Sequence, residues 1–185
     1  MTHNPKLFLV DGSGYIFRAF YGIRPLSTST GIPTNAVVGF AKMLLKLLRE
    51  EEPEYLAIAF DTPEPTFRHQ MYDQYKANRD APPEDLIPQF ALIHEFVETL
   101  NIPILKTAGY EADDLIATLC KKTLAHNHHV AVISGDKDLM QLVGEQVSLY
   151  DPMKDKMYQR DDVFEYFGVY PEHVLDVQAL AGDSS

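Results

Sequence analysis

Cysteine is nearly absent from the 185 residues: Cys120 is the only one. A disulfide framework and a cysteine zinc site are thereby excluded, and a lone thiol fits a reducing cytosol. No apolar run approaches the ~18 residues that a membrane span requires. The opening Met1-Thr2-His3-Asn4-Pro5-Lys6 lacks the basic region and long apolar stretch of a secretory signal. A cytoplasmic protein without membrane association is the expectation. Basic residues are scarce as well, 16 against 27 acidic ones, for a net charge of −11. Alone, that balance argues against a nucleic-acid binder. Where the charges sit matters more, because a phosphate-processing metalloenzyme gathers carboxylates around cations and is acidic overall. There is no repeat at solenoid or propeller spacing, and no Gly/Ser linker or like-charge block divides the chain.

What is present reads as a globular domain. The apolar share is 45% and the charged share 23%, which is ordinary. The length fits about one domain, enough to hide roughly 70% of the unfolded surface. Short apolar runs, each stopped by turn residues, predict strands at Leu7–Val10, Tyr55–Phe60, Ile102–Leu105, Val130–Ser134 and Val147–Tyr150. Apolar residues spaced by three and four predict helices over Val37–Leu48, Leu92–Leu100, Leu115–Leu124, Val163–Phe167 and Val174–Ala181. Apolar strands alternating with amphipathic helices predict an α/β fold with a mostly parallel central sheet covered on both faces. Residues 22–35 and 62–88 fit this plan poorly, and a connection as long as the second is usually functional.

The chemistry sits where the strands stop. Asp11 follows the first strand and Asp61 the second. Glu111, Asp113 and Asp114 open the helix after the third. Asp136 and Asp138 follow the fourth, and Asp183 follows the last helix. Sites in open α/β sheets form outside the carboxyl ends of the strands, so these acids are expected on one rim. Each acid alone reads better as a turn residue or as a complement to a helix dipole than as a metal ligand. The set is harder to explain that way, because converging carboxylates raise one another's pKa unless a cation intervenes. Mg²⁺ or Mn²⁺ prefers such oxygens. The number of acids points to two ions, the usual device for in-line displacement at phosphorus. Asp73, Asp80, Asp85, Asp151, Asp155, Asp161 and Asp162 read as surface or turn acids.

Residues 67–79 mix cations with aromatics. On a helix, Arg68, Tyr72, Tyr75, Lys76 and Arg79 would share a face. That face would offer cations to phosphate and a tyrosine to an unpaired base. A solvated helix face with half-buried tyrosines explains the same spacing, and both readings stand. Arg18 and Arg24 extend the basic surface more weakly. His126, His128 and His129 read as an exposed helix end rather than a zinc site. Gly12-Ser13-Gly14 matches neither the dinucleotide nor the Gly-Lys-Ser/Thr phosphate loop. No serine stands in a recognisable triad order.

A run of motifs then appears in order: Leu9-Val10-Asp11-Gly12-Ser13-Gly14-Tyr15-Ile16-Phe17-Arg18-Ala19, Phe60-Asp61, Thr66-Phe67-Arg68, Tyr75-Lys76-Ala77-Asn78-Arg79, Gly109-Tyr110-Glu111-Ala112-Asp113-Asp114, Gly135-Asp136-Lys137-Asp138 and Ala181-Gly182-Asp183-Ser184-Ser185. Over essentially the whole chain this resembles the N-terminal 5′→3′ exonuclease domain of bacterial DNA polymerase I, within the flap-endonuclease superfamily. The resemblance implies a PIN-like, resolvase-like fold with a helical arch over the active site. It implies a structure-specific nuclease acting on DNA with a 5′ flap, a nick or an RNA primer, in replication and repair. It implies two ions, Mg²⁺ or Mn²⁺. Asp11, Asp61 and Asp113, with Glu111 close by, would surround the first. Asp136, Asp138 and Asp183 would hold the second, with Asp113 or Asp114 near both. Lys76 and Arg79 would act on the scissile phosphate as catalytic residues with Asp113. Arg18, Arg68 and Tyr75 would help to bind the strand, Tyr75 by stacking. The family continues with a further metal-site aspartate and a helix-hairpin-helix element. Residues 1–185 are thus expected to form the exonuclease domain, ending before that element and belonging to a longer polymerase chain. Lack of these parts is expected to weaken the second metal site and the grip on duplex DNA. A PIN-type ribonuclease and a non-catalytic DNA-binding fragment are the competing readings. An aspartyl-nucleophile phosphatase is disfavoured, since Asp11-Gly12-Ser13 lacks the second acid such an enzyme needs.

Overall fold

The computed structural model describes residues 6–78 and 80–182. Its sheet has six strands in the order β3-β2-β1-β4-β5-β6. They are β1 Lys6–Asp11, β2 Tyr55–Ala59, β3 Ile104–Leu105, β4 His129–Ile133, β5 Val147–Asp151 and β6 Lys156–Tyr158. The β1–β4, β2–β3 and β4–β5 pairings are parallel, and the β5–β6 pairing is antiparallel. The helices are α1 Gly12–Gly22, α2 Asn35–Glu51, α3 Phe67–Met71, α4 Ile87–Thr99, α5 Ala112–Leu124, α6 Arg160–Phe167 and α7 Val174–Ala181. No helix among the described residues is long and apolar enough to cross a membrane.

The chain divides into two compact units. One holds the described residues of Met1–Val10, Pro53–Leu56 and Ile116–Ser185; the other holds Asp11–Glu52 and the described residues of Ala57–Leu115. In the first unit, Phe8, Leu9 and Val10 of β1 and Val130–Ile133 of β4 are buried without a break. That is the expected state of a strand covered on both faces, and it explains why these segments read as apolar runs rather than alternations. Leu139, Met140, Leu149, Val163 and Val174 complete this core. Cys120 is 3% exposed within it, and burial pushes its thiol up to about 12. The thiolate is the reactive species. Native protein at pH 8 is therefore expected to resist a thiol reagent such as DTNB, whereas denatured protein titrates one thiol at once. Rapid native labelling would show that α5 opens locally.

In the second unit, α2 buries Ala36, Phe40, Leu44 and Leu47, one face at spacings of three and four. Phe40 stacks on Phe60 at 6.2 Å and meets the edge of Tyr15 at 6.0 Å. The N-terminus of α2 is closed from outside its own sequence. The buried Gln89 side chain of α4 accepts the N–H groups of Ala36 at 2.8 Å and Val37 at 3.1 Å.

Several elements differ from the sequence-based expectation. Helix α1 begins at Gly12, where three small residues suggest only a loop. The Asp11 side chain starts it by accepting the Gly14 N–H at 2.8 Å. Residues 67–79 do not form one helix: α3 ends at Met71, Tyr72 is extended at φ −151°, and turns follow through Asn78. The shared face of Arg68, Tyr72, Tyr75 and Lys76 therefore does not exist. Asp151 is not a surface acid. It is 1% exposed and accepts the Met153 N–H at 3.0 Å, folding the turn into β6.

Candidate active site

The acids sit where the strand ends place them. In the second unit, Asp11 is the last residue of β1 and is 6% exposed. A Cβ at Gly14 would lie 2.2 Å from its Oδ2, so only glycine allows the cap. A Cβ at Gly12 would lie 2.4 Å from Phe60 Cε1, so glycine also lets α1 start hard against the residue that precedes Asp61. Asp61 lies just beyond β2. Its N–H donates to Ser13 Oγ at 2.9 Å, and its Oδ1 accepts the Ala112 N–H at 2.7 Å. The acid from β2 is thus fastened to the first turn of α5, directly between Glu111 and Asp113 in sequence. Asp113, in that first turn, is half-buried.

Cations converge on the same place. Glu111 is 9% exposed. Its Oε1 takes Lys76 Nζ at 2.8 Å, and its Oε2 takes the Tyr75 hydroxyl at 3.1 Å. Arg68 Nη1 stands 3.7 Å from the same Oε2. Arg68 is itself held by Asp114 through two bonds of 2.8 and 2.7 Å, the bidentate geometry that makes such pairs strong. Asp114 Oδ2 also accepts the Glu111 N–H at 3.0 Å. The guanidinium beside Asp114 holds its carboxyl below the usual range, and Asp114 in turn raises the Arg68 value. Burial, countered by Lys76, raises the Tyr75 hydroxyl. Lys76 reaches Glu111 from a left-handed turn at φ 53°, a conformation that costs about 1–3 kcal/mol and persists only where surroundings enforce it.

The depressed Asp114 value has a signed consequence. A carboxyl lowered by folding contributes stability above its unfolded pKa and loses that contribution as pH falls through the folded value. The stability gap between wild type and Asp114→Asn is therefore expected to be flat from pH 7 to 5 and to shrink below about pH 4. Urea titrations across that range check it.

In the first unit, Asp136 is exposed and Asp138 half-buried at the end of β4. The Asp136 N–H donates to Ser134 Oγ at 3.0 Å, and its Oδ1 accepts the Asp138 N–H at 2.9 Å, opening the 3₁₀ turn Lys137–Leu142. Asp138 is held by the amide of Gln178 from α7. Arg18 lies half-buried on α1. Arg79 and Asp183 lie outside the described residues. Among the described residues, no three His, Cys, Asp or Glu side chains form a ready cage for an ion. N–H groups hold Asp11, Asp61 and Asp136, an amide holds Asp138, and two cations hold Glu111 and Asp114. Sequence reasoning missed Ser13, Ser134 and Gln178 as supports. Small polar residues beside acids carry no signal that separates them from turn residues.

A mostly parallel sheet with acids at the ends of β1, β2 and β4 defines the class, a resolvase-like α/β domain. The chain belongs to the family described as the 5′-3′ exonuclease, N-terminal resolvase-like domain, whose model matches residues 6–168. It is 51% identical over its whole length to DNA polymerase I of Rhizobium leguminosarum, of which it spans 19%. It is 43% identical, over 96% of its length, to a 5′-3′ exonuclease of Aquifex aeolicus, of which it spans 61%. The fold matches a bacteriophage T5 flap endonuclease crystallised with DNA and metal ions. The TM-score is 0.74 at 24% identity, covering 96% of this chain and 66% of that one.

Proposed function

We propose that the chain is a divalent-metal-dependent 5′ nuclease domain, hydrolysing DNA phosphodiesters at a 5′ flap, nick or primer end, in the cytoplasm and as the N-terminal part of a longer polymerase chain. The observation that carries this reading is the 2.7 Å bond from Ala112 N–H to Asp61. It ties an acid from one strand end to a helix start bearing three more, beside a lysine 2.8 Å from Glu111. Membership of a family of this description supports it.

The donor set fits hard divalent ions. It is all carboxylate, with no thiol or imidazole at ligand spacing. Lys76 and Arg68 stand around the buried Glu111 where an ion's charge would otherwise be needed. In this reading Asp11, Asp61 and Asp113 surround one Mg²⁺ or Mn²⁺ with Glu111 close by, and Asp136, Asp138 and Asp183 hold a second. Bound ions of this kind lower the pKa of water and neutralise charge on the phosphate oxygens. Lys76 and Arg79 bring positive charge to the phosphate, where it counts most as charge builds in the transition state. Tyr75 and Arg18 bind the strand. Asp114, with both oxygens engaged, acts by fixing Arg68 and Glu111 rather than as a direct ligand.

The test is a 5′-labelled flap DNA incubated with the chain, with and without Mn²⁺ or Mg²⁺. Cleavage in metal and none in EDTA is expected, together with a metal-dependent rise in melting temperature. At a hundred times Kd, ligation is worth about 2.7 kcal/mol. Equal cleavage in EDTA, or none in either metal, would overturn the proposal.

A further inference from the structure

Two exposed aromatic rings stand beside these acids and have no part in the account so far. Tyr110, immediately before Glu111, is 48% exposed, and Phe67, at the start of α3, is 37% exposed. Their centroids lie 5.7 Å apart with planes tilted by 51°. The Phe67 N–H donates to Gly109 O at 3.0 Å, and the Tyr110 N–H to Thr107 O at 3.2 Å, so backbone bonds hold the two segments that carry the rings. Arg68 Cζ lies 4.6 Å from the Phe67 centroid, and that guanidinium is itself pinned by Asp114. Tyr110 also lines a cavity of about 260 Å³ shared with Asp61, Pro63, Thr66, Lys76 and Glu111.

Two neighbouring rings at a polar rim offer a flat ligand a stacking surface. The cavity lies just below the ~300–1,000 Å³ of drug-sized sites, so it suits one planar ring system rather than a length of strand. A nucleobase is neutral, so the carboxylates of this cavity do not exclude it, and it presents a π-face that any aromatic accepts. Resting on the nuclease reading above, we infer that Tyr110, backed by Phe67, is a stacking platform for the unpaired base next to the scissile phosphate. The base then sits against Tyr110 while its phosphate faces Lys76 and the acids. Stacking of this kind is insensitive to base identity, which suits an enzyme that cuts by structure rather than sequence.

The test uses the 185-residue chain and a flap DNA carrying 2-aminopurine at the junction, in Ca²⁺ to measure binding without relying on turnover. Wild type is expected to quench the fluorescence on binding. Tyr110→Ala is expected to bind ~5- to 150-fold more weakly, while Tyr110→Phe stays within a few-fold of wild type. An abasic site at that position should abolish the difference between wild type and Tyr110→Ala. A Tyr110→Ala penalty that is the same on abasic and intact flaps would show a structural role and overturn the inference. So would unchanged binding by Tyr110→Ala. Wild type that neither binds nor cuts any flap would overturn the nuclease reading as well; wild type that cuts normally beside an unaffected Tyr110→Ala overturns this inference alone.

Discussion

Asp113→Ala is expected to lower metal-dependent flap cleavage by ~10³-fold or more while leaving the fold intact. An ion at a phosphoryl site is worth several kcal/mol of transition-state charge stabilisation, and each 1.36 kcal/mol is tenfold in rate. Asp113 lies half-buried in the first turn of α5, where an acid complements the helix dipole. Its neighbour provides the control. Asp114 makes two bonds to Arg68 and one to the Glu111 N–H. Asp114→Ala strips the half-buried Arg68 of its bidentate partner and is expected to cost about 1–3 kcal/mol of stability. Two adjacent acids should therefore separate: Asp113→Ala loses far more rate than stability, and Asp114→Ala loses more of the unfolding midpoint. Urea unfolding and single-turnover cleavage of both variants check it. Asp113→Ala with full Mg²⁺-dependent activity would remove Asp113 from the site.

Much of this division is invisible in the sequence, for physical reasons. The strands β1, β2 and β4 were legible because a buried parallel strand writes itself as an apolar run, β5 showed as an alternation of buried Val147 and Leu149 with half-buried Ser148 and Tyr150, and the acids were legible because they follow those strands. Asp113 and Asp114 look alike at that level. What distinguishes them is Arg68, 46 residues away from Asp114, and no local pattern encodes that pairing. The same holds for Lys76. Its spacing from Arg68 and Tyr72 suggested a helix, but a 2.8 Å bond to Glu111, 35 residues on, coincides with a left-handed turn instead. Periodicity of polar residues is weak evidence, because no core has to be satisfied when the pattern breaks. Helix α1 was hidden for the opposite reason: Gly12 and Gly14 lower helix propensity, and the cap from Asp11 and the close approach to Phe60 outweigh it. The three-residue β6 was too short to show any alternation.

Gln89→Leu is expected to destabilise the chain by about 3–6 kcal/mol, a large part of the 5–15 kcal/mol typical of a whole domain. Nothing in the sequence marks this residue, a glutamine at the start of a helix. In the structure it is fully buried, and every polar atom of its amide is used. Oε1 accepts the N–H groups of Ala36 and Val37, which no residue of α2 can reach from within the helix. Nε2 donates to Asn35 Oδ1 at 3.0 Å and to Asp85 O at 2.8 Å. Asn35 Nδ2 then donates to Phe20 O at 2.8 Å, so the chain of bonds runs from α4 through α2 to α1. Leucine fills nearly the same volume but leaves two donors and two acceptors unpaired, at about 1–3 kcal/mol each before relaxation. Gln89→Glu should fall between the two. A carboxylate still accepts the helix N–H groups and complements the dipole, but it turns an oxygen toward Asn35 Oδ1 and Asp85 O. Rotating Asn35 to compensate would break its bond to Phe20. Denaturant unfolding of both variants, compared at constant m-value, tests this order. A Gln89→Leu loss under 1 kcal/mol would mean that water reaches the start of α2 and that the buried amide is not what holds the three helices in register.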